Sequence, residues 1–223
     1  MTSRPLVPLV LAAALLATAP FGASAQAQAK AAPAATAATQ GSPSKLVLDN
    51  SQRILSTLEA RRAEFTADRS KLQAFIAGEF DQMFDREYSA RQVLGRHGRG
   101  ADDADVKVFA DALADSLMRR YGSSLLDFNT RLRVRVKSET PLPRGLGVKV
   151  SSEMLRQGGE PIPVDYLMRQ TPAGWRVFDV MVEGVSFVQT FRQQFDTPLS
   201  RKSIRDVAAD LRAGRIQADA GGN

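Results

Sequence analysis

Two periods run through the chain. Up to Tyr121 the apolar positions recur at helical spacing, and from Leu132 to Val182 they mostly alternate. Val47, Ile54, Leu55 and Leu58 share one face of a helix predicted from about Lys45 to Ala63. Phe65, Leu72, Phe75 and Ile76 mark a second helix, and Tyr88 to Gly95 a short third with Val93 and Leu94. The clearest helix opens at Asp102, a candidate N-cap with Asp105 in the first turn. Its stripe is Val106, Phe109, Ala110, Leu113, Leu117, Tyr121 and Leu125, which reads as ordinary core.

The strands follow. Arg131 to Lys137 puts Leu132, Val134 and Val136 on one face and four cations on the other. Val148, Val150, Ser152 and Met154 form a second strand, closed by the turn Gln157-Gly158-Gly159. Ile162, Val164, Tyr166 and Met168 form a third, and after a turn ending on Gly174 the fourth runs from Trp175 to Glu183. Short connections make the last three an antiparallel meander, while Pro141, Pro143, Gly145 and Gly147 leave the first pairing open. Two helices close the chain, one after Ser186 and one carrying Ile204, Val207, Ala208 and Leu211 and ending at Gly214. The predicted fold class is α+β: N-terminal helices, a four-stranded, mainly antiparallel twisted sheet, and C-terminal helices.

The fourth strand is apolar on both faces. Strict alternation points Phe178, Val180 and Val182 one way and Trp175, Val177, Asp179 and Met181 the other, so both faces need cover. Ser186 and Gln189 have capping-box spacing and start a helix with the stripe Phe187, Val188, Phe191 and Phe195. An ordinary core explains this stretch as it stands.

The stretch Pro161-Ile-Pro-Val-Asp-Tyr-Leu-Met168, followed by Gly174-Trp-Arg-Val-Phe-Asp-Val-Met-Val-Glu-Gly-Val-Ser-Phe-Val-Gln-Thr-Phe-Arg-Gln-Gln-Phe195, resembles the signature of the MlaC family. Val93-Leu94-Gly95-Arg96 and the helix containing Tyr121 are similar to that family's middle section. The resemblance spans about Lys45 to Gly214, weakly before Phe80 and strongly after Pro161. It departs at His97-Gly98-Arg99-Gly100, where the family usually places aromatics. The resemblance implies a periplasmic phospholipid carrier of the toluene-tolerance type, with an apolar cavity between sheet and helices and without cofactor or metal. Its implied partners are phospholipid, an inner-membrane ABC transporter complex with a membrane-anchored lipid-binding subunit, and an outer-membrane lipoprotein-porin complex. Such a carrier maintains outer-membrane lipid asymmetry.

Physics asks for the same hollow. At about 0.8 kcal/mol per methylene, two tails of roughly thirty methylenes need over 20 kcal/mol of cover outside a bilayer. The expected lining is Val134, Val136, Val148, Val150, Val164, Tyr166, Phe178, Val180, Val182, Phe187, Val188 and Phe191. The sequence gives the faces but not which of them is hollow.

Composition narrows the class. Arg4, the apolar run from Leu6 to Ala19 and the small-residue site Ala23-Ser24-Ala25 read as a cleavable secretory leader over residues 1–25. A retained anchor competes, but the run is short for a span. No cysteine is present to carry a lipid at the cleavage site or to form a disulfide. Residues 26–44, Ala, Gln, Thr and Pro with Lys30, read as a flexible linker; 45–214 as one carrier domain; 215–223 as a disordered tail. The net charge of +6 is modest, and no nucleic-acid motif appears.

Candidate chemistry is sparse. The single histidine, His97, sits in a glycine-rich loop and reads as solvated. The enzymatic alternative is a cone-shaped small-molecule enzyme using Asp179 and Tyr166 as an acid–base pair. Against it stands a structural Asp179, bonded to backbone amides or paired with Arg176 or Arg192. The cations Arg131, Arg133, Arg135 and Lys137 suit either an acidic partner or a solvated edge face.

Overall fold

The computed structural model describes residues 41–121, 132–156 and 159–219. Helix α1 (Pro43–Ala60) opens on Ser42, whose hydroxyl accepts the Lys45 amide, with Pro43 where a missing N–H costs nothing. It therefore begins inside the segment expected as linker. The second expected helix is two, α2 (Arg62–Ala67) and α3 (Arg69–Met83). Asp68 divides them: its backbone is extended, and its carboxylate accepts the Ser70 amide to start α3. α4 (Arg86–Leu94) is capped by Asp85 through the Tyr88 amide. A 3-10 turn, Gly95–Gly98, leads to α5 (Asp103–Tyr121). Leu125 of the expected stripe lies outside the described residues, as do Arg131 and the proposed leader.

The sheet is β1 (Arg133–Pro141), β2 (Val148–Leu155), β3 (Ile162–Thr171), β4 (Gly174–Val182) and β5 (Val185–Ser186), antiparallel and in sequence order. Four strands were expected. The fifth is a two-residue return across Glu183 and Gly184, both at positive φ. The open pairing closes with Val134 opposite Met154 and a bulge after Val136.

A second bulge alters the reading of β4. Leu167 lies opposite Asp179 but Met168 opposite Val177, which leaves Phe178 as the extra residue. Strict alternation therefore fails there: Val177 packs with Val180, Val150 and Met168, on the face opposite Asp179.

Helices α6 (Phe187–Arg201) and α7 (Ile204–Arg212) complete the fold. One core joins α4, α5, α6 and α7 around Phe109 and Phe195, whose rings meet edge to face. A second lies between Val47 of α1 and the sheet, and a third gathers Leu58, Phe65, Leu72 and Ile76. The segment expected to be disordered from 215 is packed as far as Asp219. Arg215 bonds Asp210 at 2.6 Å, and the buried Ala218 donates its amide to Ser116 Oγ at 3.2 Å.

Candidate functional site

A cavity of about 300 Å³ lies between β4 and the helices from α3 to α6. The sheet contributes only Phe178, Asp179 and Val180, at the bulge. At these positions the edge of β4 away from β3 is left open, because the short β5 pairs only with Met181 and Val182. The chain entering α4 covers that edge: the Asp85 amide donates to the Val177 carbonyl at 2.8 Å, and Ser89 Oγ lies 2.8 Å from the Phe178 carbonyl. Residues from both sides of β4 therefore reach one hollow.

The helices supply the rest of the wall. Ala90 and Val93 come from α4, and Ala110, Leu113, Ala114 and Leu117 from α5 at successive turns. Phe187, Val188 and Phe191 come from the first turns of α6. The alanines leave room where a larger side chain would fill the space. Among the described residues only Arg86, Ser89 and Asp179 bring polar groups.

Asp179 is fastened to α6. Its carboxylate accepts the Ser186 hydroxyl at 2.5 Å and the Val188 amide at 3.0 Å, while Ser186 Oγ accepts the Gln189 amide at 3.0 Å. Two amides of the first helical turn are thereby satisfied. The expected capping serine is present, and Asp179 takes the second amide. Burial pushes the Asp179 carboxyl above its ordinary pKa, against the opposing pull of Ser186 and the amides. Neither arginine expected beside it is there: Arg192 binds the Gln92 carbonyl, and Arg176 the Asp81 and Gln82 carbonyls.

A smaller cavity of about 160 Å³ lies between α1, α3 and β3. Its walls are more polar. Glu79 accepts from Asn50 at 3.0 Å and from Arg53 at 2.7 Å, tying α1 to α3. Tyr166 opens here, its hydroxyl raised above the usual phenol pKa by burial and opposed by Ser51. Tyr166 and Asp179 thus line separate cavities, and the proposed acid–base pair is not assembled. Phe80 and Phe84 line both hollows, their rings stacked 3.8 Å apart and 2° from parallel.

A family model described as "MlaC protein" matches residues 48–213. The chain belongs to the MlaC family. Similar relatives include the toluene tolerance protein ttg2D of Pseudomonas putida, 24% identical over 196 residues covering 84% of this chain and 89% of that protein. Another is the intermembrane phospholipid transport system binding protein MlaC of Haemophilus influenzae, 19% identical, covering 82% of this chain and 86% of that one. Among solved structures, the phospholipid-binding protein of Ralstonia solanacearum in complex with a phospholipid aligns at a TM-score of 0.69 and 20% identity. It covers 78% of this chain and 98% of its own.

Within this MlaC-family fold the expected lining residues divide. Phe178, Val180, Phe187, Val188 and Phe191 meet at the larger cavity, and Tyr166 at the smaller. Val136, Val148 and Val150 pack between sheet and α1 instead. Val134, Val164 and Val182 lie on β1, β3 and β4 without reaching either cavity wall. The α3–α5 wall was missed because the stripe of α5 serves two purposes at once: Val106 and Phe109 fill core, while Leu117 borders space. Periodicity marks both alike.

The surface chemistry also differs from expectation. His97 is part of the 3-10 turn, largely covered, and lies 2.9 Å from Asp196 Oδ1. Arg135 and Lys137 both reach Glu153, at 2.5 and 2.6 Å, so the cationic strand face is partly neutralised by its neighbour strand. Among the described residues no cluster of three or more His, Cys, Asp or Glu is arranged to hold a metal, and no helix is long and apolar enough to cross a membrane.

Proposed function

We propose that this chain is a non-catalytic periplasmic phospholipid carrier that takes acyl tails into the cavity beside β4. The single observation that carries this reading is a hollow of about 300 Å³ walled by aliphatic and aromatic side chains from four helices and a strand edge. Family membership supports it, as does likeness to the intermembrane phospholipid transport system binding protein of H. influenzae and to the phospholipid-bound protein of R. solanacearum. The carrier exchanges its lipid with an inner-membrane ABC complex and an outer-membrane lipoprotein-porin complex, reaching the periplasm through a cleaved leader.

The apolar wall supplies the driving force for loading. The energy is at hand, since each methylene moved from water contributes about 0.8 kcal/mol. Solvent extraction and native mass spectrometry of the purified protein test the reading. Phospholipid recovered near one molecule per chain supports it, and a chain that arrives empty and stays empty after incubation with vesicles refutes it.

A further inference from the structure

Of the polar groups bordering the larger cavity, two are satisfied within the protein. Ser89 Oγ lies 2.8 Å from the Asp85 and Phe178 carbonyls, and Asp179 accepts from Ser186 and Val188. Arg86 is different. Its Nη1 meets Asp81 at 2.7 Å and its Nη2 meets Asp111 at a loose 3.3 Å, while its Nε–H is buried and has no acceptor among the described residues. Native proteins rarely leave a buried donor in that condition without a use for it. The side chain is 29% exposed, so Arg86 touches the hollow and water together, which places it at the mouth. It is also the one cation among the described residues that line either cavity.

We propose that Arg86 recognises the phosphodiester of the bound lipid, a specificity role that rests on the carrier reading above. Nε and Nη2 form one edge of the planar guanidinium, the edge that grips two oxygens of a phosphate side-on. Here that edge is half empty and half engaged in its weakest contact. Asp111 can release it at little cost, because Lys107 already holds that carboxylate at 3.0 Å. Because Nε is covered, the side chain turns about its Asp81 contact, which keeps Nη1, and so brings that edge to the mouth as the phosphate docks. The tails then lie among Leu113, Val180 and Phe191 while the headgroup stays in water. Lipids without a phosphate fill the hollow but leave Nε unpaired.

The test offers lipid-free protein mixed vesicles of phosphatidylglycerol and diacylglycerol with identical tails, and reads the bound ratio by native mass spectrometry. Wild type favours phosphatidylglycerol. Arg86→Gln lowers that preference about tenfold, and Arg86→Lys restores only part of it, since an ammonium lacks the fork. Asp111→Ala keeps Arg86 and frees its edge, so it raises the preference, and it decides the matter should Arg86→Gln fail to fold. An unchanged ratio in either variant overturns the proposal and leaves the carrier standing. Uptake of neither lipid by wild type brings down both. Excess inorganic phosphate leaves the ratio intact if the tails hold the headgroup in place; a ratio that collapses to that of Arg86→Gln marks a free-anion site and overturns the lipid assignment.

Discussion

Two buried aspartates respond to pH in opposite directions, and both can be followed by denaturant unfolding. At Asp179 burial holds the carboxyl pKa above its ordinary value. The fold therefore binds that proton more tightly than the unfolded chain, and the residue's contribution is largest in acid and declines as pH rises through the raised value. Asp179→Asn keeps an acceptor and removes the charge, so its stability relative to wild type improves as pH climbs from about 4 toward neutral. Asp210 is the reverse case: Lys202 first, then Arg215, hold its carboxyl below the ordinary value. Its contribution is present above that ordinary value and is lost as pH falls, so the deficit of Asp210→Asn is expected at neutral pH and vanishes in acid. Parallel curves for either variant would refute the assignment. Gly147 gives a third test at this scale. Its φ is +133°, and an added Cβ would lie 1.9 Å from the Met168 carbonyl oxygen. Gly147→Ala is expected to cost at least ~2 kcal/mol, about 4–8 °C in melting temperature.

Helix α3 ends in the stacked pair Phe80 and Phe84, which divides the two hollows. Phe80 is 37% exposed, so truncating it removes little core. Phe80→Ala joins the hollows and is expected to shift recovered lipids toward longer tails by mass spectrometry, with a stability loss below the ~3–5 kcal/mol of a fully buried phenylalanine. An unchanged tail distribution would mean that the partition does not limit the site. At this scale the sequence was legible in β2, β3, α5, α6 and α7, where apolar period and cap residues agree. It misled at Asp68 and Phe178. Phe65 and Leu72 lie seven apart and continue one helical face straight through Asp68, so period alone cannot find the break. The bulge at Phe178 is invisible for a similar reason, since alternation assumes a regular ladder and β3 decides whether there is one.

Across the whole molecule the hollow depends on elements far apart in sequence, and so does its vulnerability. Val180→Glu would place a charge against the cavity and the Val150–Met168 cluster. It is expected to empty the protein of lipid, and a folded variant that retains its normal load would refute the cavity assignment. The tail closes the α5–α7 side, with Ala218 buried and Arg215 on Asp210. Ending the chain at Gly214 is expected to cost about 1–3 kcal/mol, read as a lowered denaturation midpoint. Five of the proposed lining residues meet at the larger cavity because they come from one local unit, the β4–α6 corner, which the capping serine makes readable. The α4 and α5 walls were not readable, because packing against that corner is a long-range event.

The sequence by itself determined the helical and alternating segments, the N-cap of α6, the resemblance to the MlaC family and the supply of apolar side chains. It did so because period, capping and turn chemistry act within a few residues. Only the tertiary structure decided which apolar side chains border space and which fill it, that Asp179 and Tyr166 face different cavities, and that the Arg86 Nε is left without a partner among the described residues. An apolar or charged side chain has the same identity in either setting; the gap or the missing acceptor is a property of what other elements bring near it.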